Sequence, residues 1–157
     1  MHAIVCEPGR SPDMDKDPLD VDLALERLGA ALPLQMRSAA AYTMAAGSIT
    51  GFAYQGLADL LWKFAEDDLA DARRLVEKIV TLGGSPIDSV TGFELPREGD
   101  GIVARLVELE QETIEALQDV IPSTGHTGDS EALEHRLEHI IMRKQEQVDT
   151  LLRASRG

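Results

Sequence analysis

The chemistry open to this sequence rests on Gln35, Asp68, Asp71, Glu110, Lys144 and Gln147. Gln35 lies seven residues before Tyr42. Asp68 lies four after Phe64, and Asp71 three further on. Glu110 lies four after Leu106, and Lys144 four after Ile140 with Gln147 three beyond. Side chains three, four or seven apart share a helix face, so each of these polar groups continues an apolar stripe. A lone charge in a core costs on the order of several kcal/mol or shifts its pKa. Several stripes interrupted at mid-length therefore predict one shared polar cluster. Asp68, Asp71 and Glu110 offer carboxylate oxygens, the ligands favoured by iron, manganese or magnesium. Lys144 differs in kind. A charged ammonium has three donors and no lone pair, so it supplies positive charge and cannot bind a metal. The pattern predicts an ion cluster in which Lys144 pairs with Glu110 and Asp68. The plainer reading of the acidic run Glu66, Asp67, Asp68 and Asp71 alone is a solvated face.

Other candidates are weaker. His135 and His139 stand four apart, with Glu131, Glu134 and Glu138 nearby, a spacing that can share a metal on one helical face. Leu133, Leu137, Ile140 and Ile141 claim the inner face, so the pair is expected outward and its plainer role is solvated surface. Phe52, Tyr54 and Trp62 predict an aromatic group that closes the bundle end or meets another subunit. Cys6 is the single cysteine, which rules out an internal disulfide and suits a reducing cytoplasm. The sequence shows no nucleophile–base pair, glycine-rich phosphate loop or Cys/His zinc spacing. A net charge of −13 argues against nucleic acid as a partner. No apolar run approaches a membrane span, and no apolar leader is visible.

The elements that must position these groups are helices. Ala and Leu dominate, β-branched runs are few, and aromatics make up 4%. Residues 1–19, broken by Pro8, Pro12 and Pro18, predict a flexible or loosely docked tail, and residues 20–154 a single helical bundle. The first helix is expected from near Asp20 or Asp22 to an end flanked by Gly47 and Gly51, with a bend at Pro33. The second is expected over 56–82, ended by Gly83 and Gly84. The third spans 101–121 and stops at Pro122, and the fourth starts at Asp129 or Ser130. Connections at 50–55 and 123–129 are short, whereas 83–100 is long. Short links join antiparallel neighbours, and the long link lets the second and third helices run in the same direction. The expected fold is an all-α four-helix bundle with one long crossover.

Particular stretches carry a resemblance over about residues 20–152. Leu34-Gln35-Met36 with Ala41-Tyr42, ARRLVEKIVTLGGSP at 72–86 and LVELEQETIEALQDVI at 106–121 resemble the ferritin-like superfamily, most of all bacterioferritins and mini-ferritins. The resemblance implies a di-iron centre built from one Glu on each of two helices and a Glu-x-x-His pair on each of the others. Position by position, Gln35 replaces the first Glu and Asp68-Leu-Ala-Asp71 replaces the first pair. Glu110 is retained, and Lys144-Gln-Glu-Gln147 replaces the last pair. It thus implies a degenerate site: Asp68, Asp71 and Glu110 are its remnant, and Gln35, Lys144 and Gln147 are altered ligand positions. Haem is not expected, because Leu69 holds the position of the family's haem-binding Met. The mini-ferritin site between subunits is not expected either: helix one has no His, and Arg73 stands where a carboxylate should partner Glu77. Only ten residues follow Gln147, so the short fifth helix of large cages is not expected. The implied function is an oligomeric structural or accessory subunit linked to iron storage, as a homo-oligomer or beside a catalytically intact sister subunit. A ferroxidase or storage protein with a rearranged carboxylate site, and a helical adaptor for another protein, are the alternatives.

Overall fold

The computed structural model describes residues 16–156. Its long helices are α1 (Val21–Ser48), α2 (Leu57–Thr81), α3 (Gly99–Gln118) and α4 (Gly128–Arg156). Short 3-10 turns at Phe52–Tyr54 and Ile121–Ser123 lie in the two short connections. The all-α four-helix class is as expected, with α3 shifted toward the N-terminus relative to 101–121. Cys6 and most of the expected tail lie outside the described residues. The end of that segment is docked: Leu19 is buried among core residues, and the Asp20 N–H donates to the Ser123 carbonyl at 2.9 Å. The His126 N–H donates to the Asp17 carbonyl at 2.8 Å. Chain at Asp17 and Pro18 passes so close to Gly125 that a Cβ there would collide with backbone.

Local chemistry sets the helix ends. The Asp20 carboxylate caps α1 by accepting the Leu23 N–H at 3.1 Å. Pro33 lacks the N–H that would bond back to residue 29, yet α1 continues uninterrupted through it. At the end of α2, Gly83 adopts φ +87°, and the Gly84 N–H donates to the Ile79 carbonyl at 2.9 Å. That left-handed cap satisfies carbonyls the helix leaves open and turns the chain into the crossover.

The core consists of two apolar clusters. One holds Leu28 and Leu32 of α1, Leu75 and Ile79 of α2, Leu117 of α3, and Leu133 and Leu137 of α4. The other holds Tyr42 and Ala45, Leu57 and Leu61, Ile102 and Leu106, and Leu151. Thus α1 runs from the first cluster to the second, α2 returns, α3 repeats the direction of α2, and α4 returns again. Parallel α2 and α3 force residues 84–98 to travel the length of the bundle. Extended chain covers at most ~3.3 Å per residue, about 50 Å for this segment, against about 37 Å for a helix as long as α2. Along the way the Thr91 N–H donates to the Pro33 carbonyl at 3.3 Å, and Phe93 and Leu95 pack on the second cluster. Among the described residues, no helix is long and apolar enough to cross a membrane.

Candidate functional site

Between the two apolar clusters lies a polar layer, with every helix contributing at mid-length. Gln35 comes from α1, Asp68 and Asp71 from α2, Glu110 from α3, and Lys144 and Gln147 from α4. All six are buried. The local reason is register: each occupies the next inward turn of its stripe, so the helix that buries Leu32, Phe64, Leu106 or Ile140 also buries the polar neighbour.

Lys144 joins three of the helices. Its Nζ lies 2.9 Å from Glu110 Oε1 and 3.2 Å from Asp68 Oδ2, and neither Lys144 nor Asp68 has exposed side-chain surface. The Gln147 amide donates to Asp68 Oδ1 at 3.2 Å, and the Gln35 amide donates to the Asp68 main-chain carbonyl at 2.9 Å. Asp68 is therefore the hub of the layer, held from α1 and α4 at once.

Fully ionised, Asp68, Glu110 and Lys144 carry one net negative charge in a buried layer, and the titration of Asp68 and Lys144 follows from that. Burial pushes the Asp68 carboxyl up, the Lys144 ammonium pulls it down and Glu110 pushes it up again. The balance stands at about 7, against an ordinary 3.8. Burial works against the Lys144 ammonium, but Asp68 and Glu110 more than offset it and hold its pKa above the usual lysine value. The Tyr42 phenol is pushed well above 10, by burial first and then by the charges of Glu110 and Asp68. Tyr42 also packs edge-on against Phe64, with ring centres 5.4 Å apart.

Asp71 belongs to a second ionic group that sequence reasoning did not find. Arg74 Nη1 lies 2.7 Å from Asp71 Oδ1, and Arg143 Nε lies 3.2 Å from Asp71 Oδ2. Both arginines are partly exposed and reach inward from the margin of the bundle, which long stems allow. The available signals were Arg74 three residues after Asp71 and Arg143 beside Lys144. Arg37 was missed as well. Its guanidinium donates to the Leu109 carbonyl at 3.2 Å and to Glu112 at 2.8 Å, tying α1 to α3 beside the Ser38–Thr113 hydroxyl pair.

The remaining candidates separate cleanly. Glu66 is exposed and Asp67 pairs with Lys63 at 3.8 Å, so the acidic run divides into an outer pair and the buried Asp68 and Asp71. Leu69 is exposed on the outside of α2, and Arg73 pairs with Glu77 at 3.1 Å. Phe52, Tyr54 and Trp62 do not behave as one group: Tyr54 is buried and hydrogen-bonded to Asp100, while Phe52 and Trp62 are exposed. His135 and His139 are exposed on α4, as the phase of Leu133 and Leu137 requires.

This donor set does not fit a pair of metal ions. Lys144 and Gln147 donate to both oxygens of Asp68, Lys144 takes one oxygen of Glu110, and two guanidinium groups take Asp71. A carboxylate already surrounded by cationic donors is a poor ligand, and an ammonium between two carboxylates repels a cation. Among the described residues, no group of three or more His, Cys, Asp or Glu side chains is placed to hold a metal ion. The buried acceptors of the layer without a hydrogen-bond partner are Gln35 Oε1, Asp71 Oδ2, Glu110 Oε2 and Gln147 Oε1, with Asp71 Oδ2 in ion-pair contact with Arg143.

Residues 25–154 match a family model described as a ferritin-like domain. No curated protein matches the chain. Among solved structures, a ferritin-like, diiron-carboxylate protein from Bacillus anthracis str. Ames is similar with a TM-score of 0.79 and 23% identity, over 85% of this chain and 96% of that one. The bacterioferritin of Rhodobacter capsulatus, described as having a metal-free dinuclear site and a haem iron, is similar with a TM-score of 0.72 and 14% identity, over 82% of this chain and 80% of that one. Likeness at these identities is a likeness of fold.

Proposed function

The chain belongs to the ferritin-like family, and from that premise we propose that it is a member whose di-iron centre has been replaced by an internal ion cluster. It serves as an oligomeric structural or accessory subunit linked to iron storage, in a reducing cytoplasm that suits its single cysteine. The observation that carries this reading is Lys144, buried with its ammonium between Glu110 and Asp68. Where the family places ligands, this chain places a cation, two amides and three carboxylates, of which Asp68 has both oxygens engaged by Lys144 and Gln147. The cluster ties α2, α3 and α4 together, which is the positional task a metal centre also performs.

Metal analysis of the purified protein and aerobic addition of Fe(II), followed by absorbance, test the reading. We expect no stoichiometric iron and oxidation at the rate of buffer alone. About two irons per chain with fast oxidation, the stoichiometry of a di-iron site, would sink it. That outcome would favour the second reading, a rearranged carboxylate site using Asp68, Asp71 and Glu110. The observation on its side is that Glu110 Oε2 lies buried without a hydrogen-bond partner.

Assembly is the other half of the proposal. The exposed face of α2 carries Trp62, Glu66, Leu69, Arg73 and Val80 along one stripe, with the half-buried Val76 between the last two. An exposed stripe of this kind suits a helix partner more than water, and a second copy of this chain is the partner the family implies.

A further inference from the structure

We propose that the outer face of α4 carries a metal-binding site, formed by His135 and His139, for a late first-row divalent ion such as Zn²⁺, Ni²⁺ or Cu²⁺. It stands apart from the polar layer and does not depend on the fate of the di-iron centre. The two imidazoles are four residues apart on a continuous helix, both exposed, with ring centres 4.5 Å apart and ring planes at 69°. Neither ring has a hydrogen bond or an ion pair with another described residue, so no existing partner has to be displaced.

The geometry suits chelation. A Zn–N bond is about 2.0–2.1 Å, so two of them at a tetrahedral angle place the ring nitrogens about 3.3 Å apart. Rings already touching at this separation reach that spacing by side-chain rotation alone, without moving the helix. Chelation by two groups on one rigid helix loses less freedom than capture by two separate chains. The surroundings are acidic: Glu131 lies one turn before His135, and Glu134 and Glu138 flank the pair. They favour a cation electrostatically, and water completes the coordination. Met142, 55% exposed, stands three residues beyond His139 on the same side and adds a soft thioether. Imidazole and thioether select copper, nickel and zinc over magnesium, and the order of stabilities places Fe²⁺ below them.

Calorimetric titration of Zn²⁺ into the full-length protein tests the site, in a His2→Ala/Cys6→Ser background that removes the N-terminal competitors. We expect one saturable equivalent per chain, weakened at least about tenfold by either His135→Ala or His139→Ala and unchanged by His126→Ala. Because only the folded helix holds the two rings together, Zn²⁺ should also raise the melting temperature of the background protein and not that of the His135 and His139 variants. Zn²⁺ binding that survives both substitutions, or no saturable binding up to about 100 µM, a free energy of only about 5.5 kcal/mol, would overturn the proposal. Both substitutions are on the solvent face, and circular dichroism confirms that each variant is folded before its binding is read.

Discussion

Lys144, Asp68 and Glu110 hold each other in the buried core, away from bulk solvent, so their worth depends on the set being complete. Removing the ammonium strands two carboxylates. Lys144→Met is expected to cost about 3–5 kcal/mol in urea unfolding. The triple variant Lys144→Met/Asp68→Asn/Glu110→Gln removes every charge together and should recover most of that loss, because a buried ion set is often no more stabilising than neutral residues of similar volume. A single variant as stable as the parent would mean that the carboxylates reach water. The pH dependence follows from Asp68. Its folded pKa of about 7 lies above the ordinary 3.8, so between those values the folded state holds the extra proton. Its contribution to stability is complete below the lower value and is lost as pH rises through the higher one. Unfolding free energy of the parent minus that of Asp68→Asn should therefore fall between pH 5 and pH 8. A flat difference would show that Asp68 titrates alike in both states.

The helices place these residues through phase, and their ends decide where the crossover starts. Gly83 occupies a left-handed backbone position at the end of α2 with open space around it. Gly83→Ala should therefore cost about 1–2 kcal/mol through backbone strain alone, read as a lower urea midpoint with an unchanged slope. The four stripes, the parallel α2 and α3, and the crossover were legible in the sequence, because a buried helix face repeats at a period that apolar residues reveal. The inward placement of Gln35, Asp68, Glu110 and Lys144 was legible for the same reason. Arg74 and Arg143 were not. Their Cα positions lie at the margin of the bundle, and only a long flexible stem brings the guanidinium to Asp71. Tyr54 and Trp62 parted company for a different reason: the 3-10 turn at Phe52–Tyr54 breaks the helical period, so spacing no longer predicted direction. The prolines before Leu19 mark the absence of helix and left a flexible and a loosely docked tail both open; the burial of Leu19 favours docking for the end of that segment.

The whole molecule carries a net charge of −13, which opposes association unless a contact compensates locally. The outer stripe of α2 has the order needed. Two copies of α2 packed antiparallel, with a two-fold axis near Leu69, bring Trp62 of one copy near Val76 of the other and set Glu66 opposite Arg73, each contact occurring twice. Arg73, which holds Glu77 at 3.1 Å in the single chain, can turn to the new partner at little cost because exposed pairs are worth about 0–1 kcal/mol. Leu69→Arg places like charges at the axis and should shift sedimentation to a smaller species. Charge reversal gives the sharper test. Glu66→Arg alone sets an arginine against Arg73, and Arg73→Glu alone sets a glutamate against Glu66, so each should weaken association. The double reversal restores opposite charges in both contacts and should recover it. If the double variant is as dissociated as either single one, Glu66 and Arg73 do not face each other and the antiparallel pairing on α2 is wrong. Recovery would fix both the face and the direction of the assembly, since a parallel arrangement would set Glu66 against Glu66 and could not be rescued by the swap.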